Sequence, residues 1–125
     1  MEVLKSHKEL NVFQLAFKSS MDIYWLTRSF PKEEIFSLTS QILRSSRSVS
    51  ANISEAFRKR RYEKFFIAKL SDSESEAAET QVWLDYSLEC GYLSKIDYVK
   101  LFNEYDRIIG KIVTMMHHSE KWRIG

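Results

Sequence analysis

The residues best suited to chemistry in this chain are cations. Arg58-Lys59-Arg60-Arg61 is followed by Tyr62 and Lys64, six side chains within seven positions. Guanidinium and ammonium groups at this density suit phosphate, and Tyr62 and Phe65 add flat rings on which bases stack. A second role fits the same letters. Cations after a helix complement its negative C-terminal dipole, which makes the tetrad a solvated turn. Phe66 is expected in the core.

Catalytic constellations are scarce. His7, His117 and His118 lie near the chain ends, and no Glu stands three residues before any of them. The Glu-x-x-His ligand pattern of carboxylate metal bundles is therefore missing. Glu76 and Glu79 sit on one helical face and read as solvated acids. Cys90 follows a predicted helix end, whose negative dipole raises rather than lowers a thiol pKa. Ser29-Phe30-Pro31-Lys32 matches Ser-x-x-Lys by letters, but Pro31 interrupts the helix that geometry needs. No Gly-rich phosphate loop is present. The expectation is a protein without enzymatic activity, metal or cofactor. Asn52 and Glu55 lie near an inner helical stripe. They read as a buried polar network that fixes register, or as the wall of a ligand pocket.

The elements that position these residues follow from punctuation and period. The chain has 125 residues, with three glycines and one proline. So few breakers cannot supply the turns of a many-stranded sheet, and a single domain of long helices over residues 1–125 is expected. The first helix runs over about 10–29, with Phe13, Ala16, Phe17, Ser20, Tyr24 and Thr27 on its stripe, and stops before Pro31. The second covers about 32–57, opening on Glu33 and Glu34, with Leu38, Ile42, Ser45, Val49, Ile53 and Ala56 inward. Its many serines permit close approach of a neighbour. The third covers about 62–90, with Phe66, Leu70, Ser73, Ala77, Gln81, Leu84 and Leu88 inward, and Gly91 closes it. Ser94-Lys95-Ile96-Asp97 resembles a capping box and opens the fourth, about 94–117. There Phe102, Tyr105, Ile109, Ile112 and Met116 line one side, and Leu101, Ile108 and Met115 widen it.

Three short connections between four helices predict an all-α, antiparallel up-down-up-down four-helix bundle. That topology brings the N-terminus, the second connection and the C-terminus to one end. Nine cations gather there: Lys5, Lys8, Arg58, Lys59, Arg60, Arg61, Lys64, Lys121 and Arg123. Five acids accompany them: Glu2, Glu9, Glu55, Glu63 and Glu120. The third helix has the opposite sign through Asp72, Glu74, Glu76, Glu79, Asp85 and Glu89. The whole chain is only +2, so distribution matters more than the sum. Trp25, Phe36, Trp83, Tyr86, Tyr92 and Tyr98 fall off the inner stripes. They either pack at bundle edges or form a subunit interface. A lone cysteine, no signal core and no long apolar run predict a cytoplasmic chain without a membrane segment.

Several blocks resemble the 23S rRNA intervening-sequence proteins, also called four-helix-bundle proteins. They are Phe30-Pro31-Lys32-Glu33-Glu34, Leu38-Thr39-Ser40-Gln41-Ile42 and Ser50-Ala51-Asn52-Ile53-Ser54-Glu55. Leu10 to Ala16, Glu79 to Leu84 and Cys90 to Leu93 extend the likeness to about residues 8–116. The resemblance implies a bacterial bundle that assembles into a ring, commonly a homopentamer. A related group looks like the accessory proteins of diversity-generating retroelements, which are basic pentamers associated with nucleic acid and a reverse transcriptase. Ala56 stands where the family usually has Gly, and the third helix carries Ser71-Asp72-Ser73-Glu74 where Gly-Ser is frequent. That added acid leaves the basic cap as the surface for RNA or DNA. The expected function is non-enzymatic nucleic-acid binding by Arg58, Lys59, Arg60, Arg61, Tyr62 and Lys64. The alternative is a scaffold that docks a protein partner.

Overall fold

The computed structural model describes residues 4–122, and among them it contains four α-helices and no strand. Helix α1 spans Asn11–Thr27, α2 Leu38–Arg58, α3 Glu63–Glu89 and α4 Lys95–His117. Short 3-10 turns at His7–Glu9, Lys32–Glu34 and Ser119–Lys121 flank them.

The caps explain the boundaries. Phe30 precedes Pro31, which disfavours helical backbone there, so α1 stops at Thr27. Gly91 takes φ +79, with its N–H bonded to the Leu88 carbonyl and that of Tyr92 to the Ser87 carbonyl. This is a Schellman closure, whose left-handed residue is most easily a glycine. The Ser94 hydroxyl accepts from the Asp97 N–H at 3.1 Å and starts α4.

The second helix begins six residues later than its letters suggest. Lys32–Glu34 forms only a 3-10 turn, and Ser37 (φ −129, ψ −108) breaks the path before Leu38. The cause is tertiary. One Glu34 carboxylate oxygen accepts from the Leu38 N–H at 3.3 Å, and the other accepts from the Tyr92 hydroxyl at 2.9 Å. Glu34 thereby caps α2 while being tied to the α3–α4 connection.

The α2–α3 contact is close because its residues are small. Ser45, Ser46, Ser73, Ala77 and Thr80 are all fully buried. Thr80 donates to the Ser45 hydroxyl at 2.8 Å, and Ser73 donates to the Val49 carbonyl at 2.8 Å. These pairings satisfy hydroxyls that would otherwise cost free energy inside. At the surface Arg44 bridges Glu76 and Glu79. Gln81 joins α3 to Asp106 of α4 at 2.8 Å, and Ser19 joins α1 to Glu104 of α4 at 2.8 Å.

The first stripe is corrected. Val12, Ala16, Ser19, Ser20, Ile23 and Thr27 face inward, whereas Phe17 is 53% exposed. Small residues let α1 approach its neighbours, and the aromatics flank that seam. In α4 the deep positions are Leu101, Tyr105, Ile108, Ile112 and Met115, with Phe102, Ile109 and Met116 at the margin.

Two tyrosines tie elements together at the surface. The Tyr98 hydroxyl donates to Asp85 at 2.5 Å. Hydrogen bonds to Glu34 and Asp85 respectively, then burial, then the same carboxylates' charge push Tyr92 and Tyr98 up to about 12. The folded state therefore holds these protons more tightly than the unfolded chain, whose tyrosines titrate near 10. Their stabilising contribution is complete below pH 10 and is lost as pH rises through about 12. Urea midpoints should fall across that window, and the fall should shrink in Tyr98→Phe. A flat profile over it refutes the linkage.

Candidate nucleic-acid interface

The α2–α3 connection, residues 59–62, forms the tip of the molecule. Ala56 and Phe57 end the buried stripe of α2, and Phe66 begins that of α3, at 0%, 2% and 1% exposure. The eight residues between Phe57 and Phe66 leave the core, all exposed except the half-buried Arg60, so the cations that follow Phe57 emerge together. Both ends of the described chain reach this tip. Arg60 Nη2 donates to the Leu4 carbonyl at 3.4 Å, and Ser119 Oγ donates to Glu63 Oε2 at 3.3 Å.

The cations here divide into two kinds. Arg60 is half-buried and structural. Its Nη1 donates to the Phe57 carbonyl at 2.7 Å, and its guanidinium lies 3.7 Å from the Phe57 ring centre. Burial first, then the charges of Arg58 and Arg61, lower its pKa from the ordinary guanidinium value. Arg58, Lys59, Arg61 and Lys64 are exposed, and none has an ion-pair partner among the described residues. Lys59 Nζ sits 5.3 Å from the Phe65 ring centre. Tyr62 is 57% and Phe65 59% exposed, with ring centres 6.3 Å apart and nearly perpendicular. Phe65 is therefore a second open ring beside Tyr62.

The acids of the tip are occupied. Glu55 pairs with Lys69 at 3.6 Å, Glu9 accepts from the Lys5 N–H at 3.3 Å, and Glu120 lies 3.9 Å from His118. Glu63 accepts from Ser119. These contacts orient the carboxylates without removing their charge, and the tip is positive because its cations outnumber its acids. Glu2 and Arg123, counted with this end in sequence, lie outside the described residues.

Arg60 thus differs from the rest of the expected phosphate set, because two of its five N–H donors are turned inward to backbone carbonyls. Arg60→Ala should lower stability by about 2 kcal/mol, from lost charge-assisted bonds and the ring contact. Lys should not restore it, lacking the planar fork. Urea denaturation checks this, and a loss below about 0.5 kcal/mol, the scatter of ordinary surface substitutions, refutes it.

Asn52 and Glu55 form no buried network. The Asn52 amide donates to the Ser48 carbonyl of its own helix at 2.9 Å, and the Glu55 side chain is 54% exposed in its bridge to Lys69. Both stand off the α2 seam, and the buried polar contacts belong to Ser45, Ser73 and Thr80. Among the described residues no group of three or more His, Cys, Asp or Glu side chains is placed to hold a metal. No described helix is long and apolar enough to cross a membrane.

Sequence reasoning missed Arg107 and Lys111. Both are exposed on α4 beside the first turn of α1. Their four-residue spacing on one helical face was the available signal.

The profile of the 23S rRNA-intervening sequence protein family matches residues 8–114. No curated protein matches the chain. A crystal structure of a protein of unknown function from the S23 ribosomal protein family of Bacteroides thetaiotaomicron is similar, with 28% identity and a TM-score of 0.76. The likeness covers 85% of this chain and 95% of that one.

Proposed function

The chain belongs to the 23S rRNA-intervening sequence protein family, and on that premise we propose that it is a non-enzymatic, ring-forming nucleic-acid-binding protein. Arg58, Lys59, Arg61 and Lys64 contact RNA or DNA phosphates without reading sequence, and Tyr62 supplies a stacking surface. Arg60 holds the loop that presents them. The observation that carries this reading is the fastening of residues 60 and 63 to both ends of the described chain. On this reading Lys5, Lys8 and Lys121 join the loop cations at this end, where cations outnumber acids.

The proposed arrangement is an antiparallel up-down-up-down bundle. Ser45 with Thr80 and Val49 with Ser73 support it between α2 and α3, as do Gln81 with Asp106 and Asp85 with Tyr98 between α3 and α4. The proposed assembly is a pentameric ring in the cytoplasm. A ring joins two different faces of each protomer, and two separate exposed apolar surfaces support that. One is Phe17, Met21 and Trp25 along α1. The other surrounds a groove of about 400 Å³ lined by Phe36, Trp83 and Tyr86, where Phe36 is 97% exposed. Repeating the tip around a ring multiplies phosphate contacts and steepens the salt dependence.

Light scattering before and after nuclease treatment tests both parts. The expected result is a five-protomer mass that persists after nuclease, with nucleic acid co-purifying before it. A monomer rejects the ring, and a nuclease-insensitive preparation free of nucleic acid counts against the tip. The second reading is a scaffold for a protein partner, favoured by the same exposed aromatics. A single protein retained after nuclease treatment distinguishes it.

A further inference from the structure

A second feature of α1 and α4 extends the tip. A groove of about 710 Å³ lies between the first turn of α1 and the C-terminal half of α4. Its floor is apolar: Leu10, Val12, Met115 and Trp122. Arg107 and Lys111 line it one helical turn apart, and neither has an ion-pair partner among the described residues. The groove is contiguous in sequence with the tip on both sides. Leu10 follows the segment whose Leu4 carbonyl binds Arg60, and Trp122 follows the turn whose Ser119 binds Glu63.

Gly110 also lines this groove, inside α4. Glycine within a helix is less stable than alanine by about 1 kcal/mol. Beyond its chain neighbours and its own helix backbone, no described atom lies within 4 Å of where a Cβ would stand, so packing does not demand glycine there. What the missing side chain leaves is open space above an apolar floor, between cations.

We propose that this groove takes one unpaired base of a nucleic-acid strand whose neighbouring phosphates meet Arg107 and Lys111. The proposal rests on the phosphate-binding reading of the tip and names the form of nucleic acid that tip receives. A paired base is held in its duplex and cannot enter, whereas a single strand presents its bases to apolar and aromatic surfaces. The volume lies in the ordinary range of small-ligand pockets and accommodates a base with its sugar. The two cations stand about 5–6 Å apart at Cβ, a spacing suited to successive phosphates of an extended strand. An uncharged apolar occupant would leave that pair unused.

The test is fluorescence anisotropy of the full-length protein with a labelled oligo-dT, an oligo-U and a duplex of equal length, at fixed salt. Gly110→Leu fills the groove, keeps every cation and improves helix propensity. It should weaken single-strand binding about tenfold, the worth of one stacked base, and leave duplex binding unchanged. Gly110→Ala should behave as the wild type. Weakening on either oligo-dT or oligo-U supports the groove. Unchanged binding of both strands by Gly110→Leu overturns it while the tip reading stands. Equal weakening of strand and duplex also overturns it, since the change then acts on the tip. Wild-type protein that binds neither strand nor duplex overturns both readings together. If Gly110→Leu loses its helical circular dichroism, Thr114→Leu, exposed one turn further along the same groove, carries the same expectations.

Discussion

Replacing Arg58, Lys59, Arg61 and Lys64 with Ala together is expected to weaken nucleic-acid binding by at least about two orders of magnitude at low salt. The reasoning is one of counterions. Four phosphate contacts to a duplex release enough of them to give a slope of roughly −3.6 in log affinity against log salt, or about 150-fold between 50 and 200 mM. The variant should lose that slope together with the affinity. Arg60 is left in place deliberately. Two of its donors hold the Phe57 and Leu4 carbonyls, so removing it would confound lost contacts with a loosened tip. Far-UV circular dichroism should be unchanged, because all four replaced side chains are exposed. A salt slope equal to the wild type's would sink the phosphate assignment.

Phe57→Ala is expected to cost about 3–5 kcal/mol of folding free energy, the range for large aromatic truncations in a close-packed core. Phe57 is 2% exposed and ends the buried stripe of α2. Its ring is also the platform for Arg60. Truncation leaves a cavity under the tip and frees the guanidinium from its packing partner. Against a total stability of about 5–15 kcal/mol, such a loss moves the urea midpoint by more than about 1 M. Phe57→Leu should recover most of it by refilling the volume. A loss below about 1 kcal/mol refutes the view that Phe57 anchors this end.

These two expectations differ in how much of them could be read from letters. The cation density at residues 58–61 is visible in a string, and so is Phe66 as a core residue. The division of labour within the tetrad is not. Four adjacent cations look alike until one finds a carbonyl 56 positions away. Glu55 was misread for a related reason. Its spacing brings it close to the inner stripe, but a small rotation of the helix puts it at the surface beside Lys69. In α1 the same rotation exchanged Phe17 for Val12 and Ile23, because the seam is built from small residues that carry little weight in a hydrophobic pattern.

The features legible in the letters alone are local. The number of helices, the stop at Pro31, the left-handed closure at Gly91 and the Ser94 cap depend on backbone preferences and contacts within about one turn. Tertiary structure alone decided where α2 begins, which cation of the tip faces inward and where a groove stays open along α4. Each of those rests on partners far apart in the chain: Glu34 with Tyr92, Arg60 with Leu4, and the first turn of α1 with Gly110. Helical period reports which side of an element is apolar. It does not report the rotation at which that side meets its neighbours, which follows from packing the whole molecule.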